Sequence, residues 1–324
     1  MGRRITAADV ARSLGLSRAT VGFVLNETPG QTISQATRDR VLVEAKRLGY
    51  RPHSAARALA SGRSYIILLL LPDWPVEFSM RAHLDEAALV LDQAGYSLVT
   101  MTPHPGGQAV PLWESLAPDV VLALTSIPDE QYAAIRGAGV TTLIPGRDEL
   151  SFGEELRFAD GPRLQIQHLV ERGSTRIGFA GTADARLADL TDERLRLAES
   201  THCELTGRPL AAVARVDEEN AAATVAAWVD DGIDGIAAYN DNVAALVVGA
   251  AVRQGLELPT RLAVVGHDDS PLAGLIVPSL SSIRIDSAGL GRFLAELALY
   301  RAAGAPKPVA GPSPSATLVR RETS

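Results

Sequence analysis

One cysteine, Cys203, occurs in 324 residues. No internal disulfide framework can be drawn from it, and such sparse usage is compatible with a reducing compartment; the thiol reads as a small apolar filler. The start of the chain lacks the apolar stretch of a secretory signal, and no uncharged apolar run reaches bilayer-spanning length. The run Tyr65–Leu71 is instead a candidate buried strand, and a soluble, cytoplasmic protein with no membrane partner is expected. The six histidines (His53, His83, His104, His168, His202 and His267) show no metal-ligand spacing. Neither a G-x-S-x-G elbow nor a P-loop is present. The pair Asp268-Asp269 resembles paired acid/base carboxylates, but neighbours on an extended segment point apart. No catalytic residue, metal site or cofactor is therefore expected.

What the chain does have is an uneven distribution of charge. Its formal net charge of −7 argues by itself against a nucleic-acid partner. Residues 1–63, however, hold eleven Lys/Arg against four Asp/Glu, leaving 20 basic and 34 acidic residues for the remainder. A cationic head on an anionic body is the arrangement expected where only the head meets phosphate.

Residues 5–26 describe two short amphipathic helices joined by a glycine turn. Thr6 and Asp9 have capping-box spacing, with hydroxyl and carboxylate each able to satisfy an orphan N–H. Val10, Ala11 and Leu14 form the first apolar stripe. Gly15 permits the turn, and Ser17 caps a second helix that buries Val21, Val24 and Leu25. Its first turn offers Ser17, Arg18, Ala19 and Thr20 outward. This is a helix-turn-helix, whose second helix fits a DNA major groove. A third helix follows, capped by Ser34, striped by Val41, Leu42, Ala45 and Leu48, and stopped by Gly49. A short Ala/Leu segment over 53–60, too short for a stable isolated helix, leads into the linker Ser61–Ser64.

From Tyr65 apolar runs and helical patterns alternate. Strands are expected at 65–71, 97–101, 119–124 and 140–144, with helices near 79–94, 108–116 and 128–137. A second series has strands near 176–180, 212–216, 234–238 and 262–266, with helices near 186–205, 219–230 and 241–254. Such alternation implies parallel sheets covered on both faces. Two series imply two lobes whose ligand sits beyond the carboxyl ends of the strands. Residues 306–314 are Pro/Gly-rich, and Thr317–Val319 is a last strand. The domains read as 1–52 for DNA, 53–64 for a hinge helix and linker, and 65–324 for effector binding and dimerisation.

The head resembles the lactose/galactose repressor family in Thr6, Asp9-Val10-Ala11, Gly15, Ser17, Thr20-Val21, Val24-Leu25-Asn26, Ser34, Thr37-Arg38, Val41, Tyr50, Pro52 and Leu59-Ala60. The body is similar in Asn240-Asp241, Val265 to Asp269, Pro278-Ser279-Leu280 and Leu318 to Thr323. The likeness implies an all-α helix-turn-helix head, joined by a hinge helix to an α/β two-lobed periplasmic-binding-protein-like (type I) domain with parallel sheets. It also implies a homodimeric, nucleoid-associated repressor of a near-palindromic double-stranded operator, controlled by a small-molecule effector such as a sugar. By the same likeness Thr6, Ser17, Thr20, Asn26 and Tyr50 touch phosphates or position the head, and Arg18 and Ala19 read base edges. Leu59 wedges into the minor groove with Ala56 beside it. The family's usual Ser-Arg is here Gly22-Phe23, which removes an arginine contact and implies a different operator. Phe23 either touches a thymine methyl or folds into the head's core.

For the effector, the likeness points to Arg194, Asn240 and Asp268, a guanidinium, amide and carboxylate suited to hydroxyl groups. From the first lobe, Asp73 and Trp74 follow the first strand, where the indole either stacks on a ligand or simply packs. Trp113 and Trp228 fall on helix patterns and read as packing. Alternatives remain open: Arg194 pairing with Asp192, Asp241 capping the helix after it, and Asp269 bracing a loop. A solute-binding receptor without a DNA role is the alternative reading of the whole chain.

Overall fold

The computed structural model describes residues 5–26, 28, 30–50, 62–104, 107–146, 160–308 and 316–324. The hinge segment with Ala56 and Leu59, and most of the Pro/Gly-rich stretch, lie outside the described residues.

Three helices make the head: α1 (Ala7–Leu14), α2 (Arg18–Leu25) and α3 (Gln35–Arg47). Asp9 accepts both the backbone N–H and the hydroxyl of Thr6, at 2.9 and 2.7 Å. The hydroxyl thus turns to the carboxylate as a donor. Gly15 ends α1 in the left-handed region at φ 66°, and Leu16 N–H returns to Ala11 O at 3.0 Å, the bond that closes a Schellman turn. Ser17 Oγ accepts Thr20 N–H at 3.0 Å, opening α2. Val10, Ala11, Val21, Val24, Val41 and Ala45 fill the head's core. Leu42 does not join this stripe; it is 53% exposed.

The body holds two sheets. In the first lobe β1 (Ile66–Leu70), β2 (Ser97–Met101), β3 (Val120–Ala123) and β4 (Leu143–Ile144) pair in the order β2-β1-β3-β4, all parallel. Strand alternation assigns the two faces. Ile67, Leu69, Val120 and Leu122 pack with Ala87 and Leu91 of α4 (Phe78–Gln93), while Leu68, Leu70 and Val121 meet Trp113 of α5 (Leu112–Leu116) and Ile135 of α6 (Asp129–Gly137).

In the second lobe the order is β10-β9-β8-β7-β5-β6, parallel except for the β9–β10 pair. These strands are β5 (Ile177–Thr182), β6 (Ala212–Val216), β7 (Gly235–Ala238), β8 (Ala263–His267), β9 (Ser281–Arg284) and β10 (Thr317–Val319). Its helices are α7 (Asp160–Glu171), α8 (Ala188–Thr206), α9 (Ala221–Asp230), α10 (Asp241–Arg253) and α11 (Pro271–Leu275). Trp228 is buried in this core, as Trp113 is in the first lobe's.

The lobes are not simply consecutive. Helix α12 (Ser287–Ala303) follows β9 yet returns to the first lobe, where Leu290, Leu294 and Ala298 pack on the face that carries Ile67 and Leu69. Gly291 permits this return, because a Cβ there would lie 2.1 Å from the His83 carbonyl oxygen on α4. The chain then goes back to the second lobe as β10. Helices α7, α11 and α12 and strand β9 are absent from the sequence expectation. Gly161-Pro162 and Gly289/Gly291 dilute the helical signal of α7 and α12, and Ser281–Arg284 is too short and polar to stand out.

Candidate functional site

On the head, Thr6, Ser17, Arg18, Ala19 and Asn26 are exposed, and Thr20, Gly22 and Phe23 are half-buried. Ser17 and Thr20 hydroxyls lie 2.9 Å apart, so the start of α2 is rigidly capped. Arg18 has no hydrogen-bond or ion-pair partner among the described residues, unlike Arg12 and Arg47, which are held by Asp9 and Glu44. Phe23 is not among the side chains packed on the head's core, whereas Tyr50 is. A Cβ on Gly22 would meet nothing within 4 Å.

Both sheets reverse strand order between β1 and β3 and between β5 and β7, and ligand crevices form at such switch points. A cavity of about 410 Å³ lies between these edges. Trp74 and Pro75 reach it from the segment after β1, and Leu124, Thr125 and Ser126 from the segment after β3. Tyr239 and Asp268 follow β7 and β8; Asp189, Glu193, Arg194 and Leu197 come from α8. Met80 and His83 of α4 and Leu290 and Leu294 of α12 complete one side.

At its polar end Arg194 Nη1 donates to the Tyr239 carbonyl, and its guanidinium carbon sits 4.5 Å from the Tyr239 ring centroid. Arg194 Nη2 is 3.7 Å from Asp268 Oδ1, an ion pair with space between its members. Asp192 is taken by Arg215 at 2.6 Å instead. His267 Nδ1 lies 2.8 Å from Asp268 Oδ1. Burial, and then Arg194, push the His267 pKa down, so a neutral ring donates from Nδ1. Burial raises the Asp268 pKa, yet the His267 hydrogen bond and the Arg194 guanidinium outweigh it and hold the carboxyl below its ordinary range.

Asp268 and Asp269 are not on an extended segment: their φ angles are 94° and 45°, a region that non-glycine residues seldom occupy. This turns Asp268 to the cavity and Asp269 away, where it accepts from Arg284 at 2.8 Å and Arg321 at 2.7 Å. Asp269 braces the loop. The ring of His267 is seated against Gly161 on α7, where an added Cβ would lie 2.0 Å from Nε2. Gln165, one turn on, places Nε2 within 2.8–3.0 Å of the carbonyl oxygens of Ala238, Val265 and Gly266, tying the ends of β7 and β8 together.

Of the effector residues read from the sequence, Trp74, Arg194 and Asp268 line the cavity; Asp73 and Asn240 do not. Asp73 is exposed. Asn240 Oδ1 accepts Val243 N–H at 3.0 Å, so Asn240 is the cap of α10, and its Nδ2 donates to Glu77 at 2.8 Å. Asp241 is not that cap. It accepts from Ser270 N–H at 2.6 Å and from the Ser282 hydroxyl, and burial, opposed by these bonds, raises its pKa to about 6. Trp74 also packs on the core of the second lobe, so it both lines the cavity and bridges the lobes.

Sequence reasoning missed Glu77, Tyr239, Glu193 and His83. Glu77 also accepts from Asn242 Nδ2 at 2.8 Å, clasping the second lobe from the first. Its local signal is the doubly prolyl segment Pro72–Pro75, where Trp74 N–H to Pro72 O (2.7 Å) and Glu77 N–H to Pro75 O (2.9 Å) close two tight turns.

A helix-turn-helix head followed by two parallel-sheet lobes around an interlobe cavity defines the class of two-lobed bacterial regulators. Residues 6–53 match the bacterial regulatory proteins of the lacI family, and residues 166–324 match the periplasmic binding protein-like domain. The chain thus joins a lacI-type DNA-binding head to a periplasmic-binding-protein-like body, the build of a DNA-binding transcriptional regulator. It is 29% identical over 336 residues to the regulator GalR of Salmonella typhimurium, covering 98% of this chain and 95% of that protein. It is 29% identical over 307 residues to the ribose operon repressor of Bacillus subtilis, covering 91% and 90%. A crystal structure of the Lac repressor dimer bound to operator and the anti-inducer ONPF shares its fold, with TM-score 0.75 at 21% identity over 99% of both chains.

Proposed function

We propose that the protein is a homodimeric repressor that grips a near-palindromic operator and changes its affinity when a sugar or related small molecule binds between its lobes. Residues 1–52 serve as the DNA-binding unit, 53–64 as the hinge, and 65–324 as the effector and dimerisation unit. The observation that carries this reading is the interlobe cavity with the spaced Arg194–Asp268 pair at its end, in one chain with an exposed Arg18, unpaired among the described residues, at the head of α2.

In the head, Thr6, Ser17, Thr20, Asn26 and Tyr50 take phosphates or position α2, and Arg18 and Ala19 read base edges. Arginine is suited to bidentate bonds with guanine, worth about 1–3 kcal/mol of discrimination. Gly22 and Phe23 replace an arginine contact with an apolar surface; the half-buried ring outside the core supports this. Ala56 and Leu59 form the minor-groove wedge. In the cavity, Trp74, Arg194 and Asp268 hold the effector. Asn240 acts on the site through Glu77 rather than on the ligand itself.

Exposed apolar side chains support a second copy: Leu275 and Val277, 77% and 85% exposed, in the second lobe, and Phe78 and Leu89 on α4. Two-fold protein symmetry is mirrored in an inverted-repeat site. Effector closure shifts the relative positions of the two hinges and so their joint fit to the operator; such coupling is typically about 1–3 kcal/mol.

Selection of the full chain on a random duplex pool tests this. Enrichment of an inverted repeat, with affinity falling about 10³–10⁵-fold between roughly 50 and 200 mM salt for six to ten phosphate contacts, is the expected result. A pool that yields no inverted repeat, or a salt-insensitive complex, rejects it.

A further inference from the structure

Resting on the effector reading of the interlobe cavity, we propose that its ligand carries no anionic group: the regulator answers to a free hydroxylated compound and is blind to its phosphorylated form.

Among the described residues, the charges at the cavity are one-sided: Glu77, Asp189, Glu193 and Asp268 line it, and Arg194 is the lining residue of opposite sign. That guanidinium already donates to the Tyr239 carbonyl, and the Asp268 carboxylate 3.7 Å away offsets its charge. His83 supplies no positive charge, because burial lowers its pKa to about 4. The nearby Arg186 is held by Asp184 at 2.6 Å and does not line the cavity.

The helix starts at the cavity's border would ordinarily attract phosphate. Each instead carries its own carboxylate: Glu77 at the N-cap of α4, Asp189 in the first turn of α8, and Asp286 at the N-cap of α12, where it accepts Gly289 N–H at 2.8 Å. A phosphate would have to displace these groups or sit among them. By contrast, acceptors for hydroxyl donors are free. Glu193 is half-buried with no partner among the described residues. His83 is 6% exposed, and its Nε2 is buried without a partner. A neutral polyol can satisfy both groups, whereas the Glu193 carboxylate repels a phosphate. A phosphoryl transfer that consumes the free ligand would therefore end the signal, placing the regulator upstream of such a step.

Two measurements on the full chain decide the matter. First, emission lost on Trp74→Phe isolates the cavity tryptophan, since Trp113 and Trp228 are buried. At matched ionic strength, caesium should quench that emission about tenfold better than iodide after normalisation to free tryptophan amide. Equal or better access for iodide overturns the proposal. Second, hexoses, pentoses, disaccharides and nucleosides are compared with their monophosphates by thermal shift and operator release. The free member of a responding pair should bind about 100- to 1000-fold tighter, the scale of like charges a few ångströms apart near a protein surface, and Glu193→Lys should narrow that gap. A phosphate ester that binds as well as its parent overturns the proposal and leaves the effector site standing. If no compound alters melting or Trp74 emission, the effector reading fails and this inference goes with it.

Discussion

From Thr6 to Asn26 the residues assigned to DNA in the first two helices span 21 consecutive positions, whereas the cavity lining runs from Trp74 to Leu294. The head presents exposed side chains on a scaffold fixed by local caps and turns. The cavity lies between the lobes, and its members meet because two sheets, the α4–α12 contact and a pair of left-handed aspartates place them together. Surface recognition by a small helical unit therefore depends on few long-range contacts, and its substitutions change affinity more than folding. Cavity recognition depends on packing far from the ligand, so the same substitutions strike both binding and stability.

The sharpest break in that comparison is Asp268→Ala. It removes the Arg194 partner and the His267 acceptor together. The effector response, about 5- to 150-fold in typical allosteric systems, should vanish while operator affinity without effector stays within a few-fold. Titrating operator with and without effector checks this; a retained response moves the ligand elsewhere.

Next is the acid sensitivity of the body. His83 is held neutral, its pKa lowered from 6.5 to about 4 by burial. As pH falls below 6.5 the unfolded chain takes up this proton first, so stability is lost progressively down to about pH 4. The loss is on the order of 3 kcal/mol at full effect. His83→Gln should remove that portion in urea unfolding at pH 7 and pH 4.5. Asp241 works oppositely: its pKa is raised from 3.8 to about 6, so it favours folding as pH falls through that window. Asp241→Asn should therefore steepen the acid loss. An unchanged pH profile in both variants would show that burial at these positions is not what tunes the body.

Arg18→Ala should cost about 1–3 kcal/mol at one operator position and relax base preference there, leaving the melting of the body unaltered. Uniform weakening across all sequences would make Arg18 a phosphate contact instead. The smallest effect is Gly22→Ala, which fills open space in α2 and should stabilise the head by up to about 1 kcal/mol, read from head melting by circular dichroism. Lower stability would mean that Gly22 is there for the backbone rather than for the operator.

Much of the architecture was legible because it is written in short-range patterns. The caps Ser17 and Ser34, the stop at Gly15, and the apolar runs that became β1, β3, β5, β7 and β8 each express a local rule. Leu42 shows the limit even there, since it fits the helical stripe by spacing but faces solvent. For the cavity, Arg194 and Asp268 were visible through family resemblance, and Trp74 through its place after a strand. Glu77 and Glu193 look like ordinary surface carboxylates until the lobes are brought together. Asn240 carried the right chemistry for a ligand, yet α10 needed it as a cap and Glu77 took its amide.

The order of residues alone settled that a cationic helical reader precedes an acidic α/β body, because capping, periodicity and charge act over a few neighbouring positions. Folding in three dimensions decided which acids border the cavity, that α12 crosses back at Gly291, and that Asp268 and Asp269 face opposite ways. Those outcomes depend on contacts between segments tens to hundreds of residues apart, and close packing at such contacts is not encoded in any single stretch of chain.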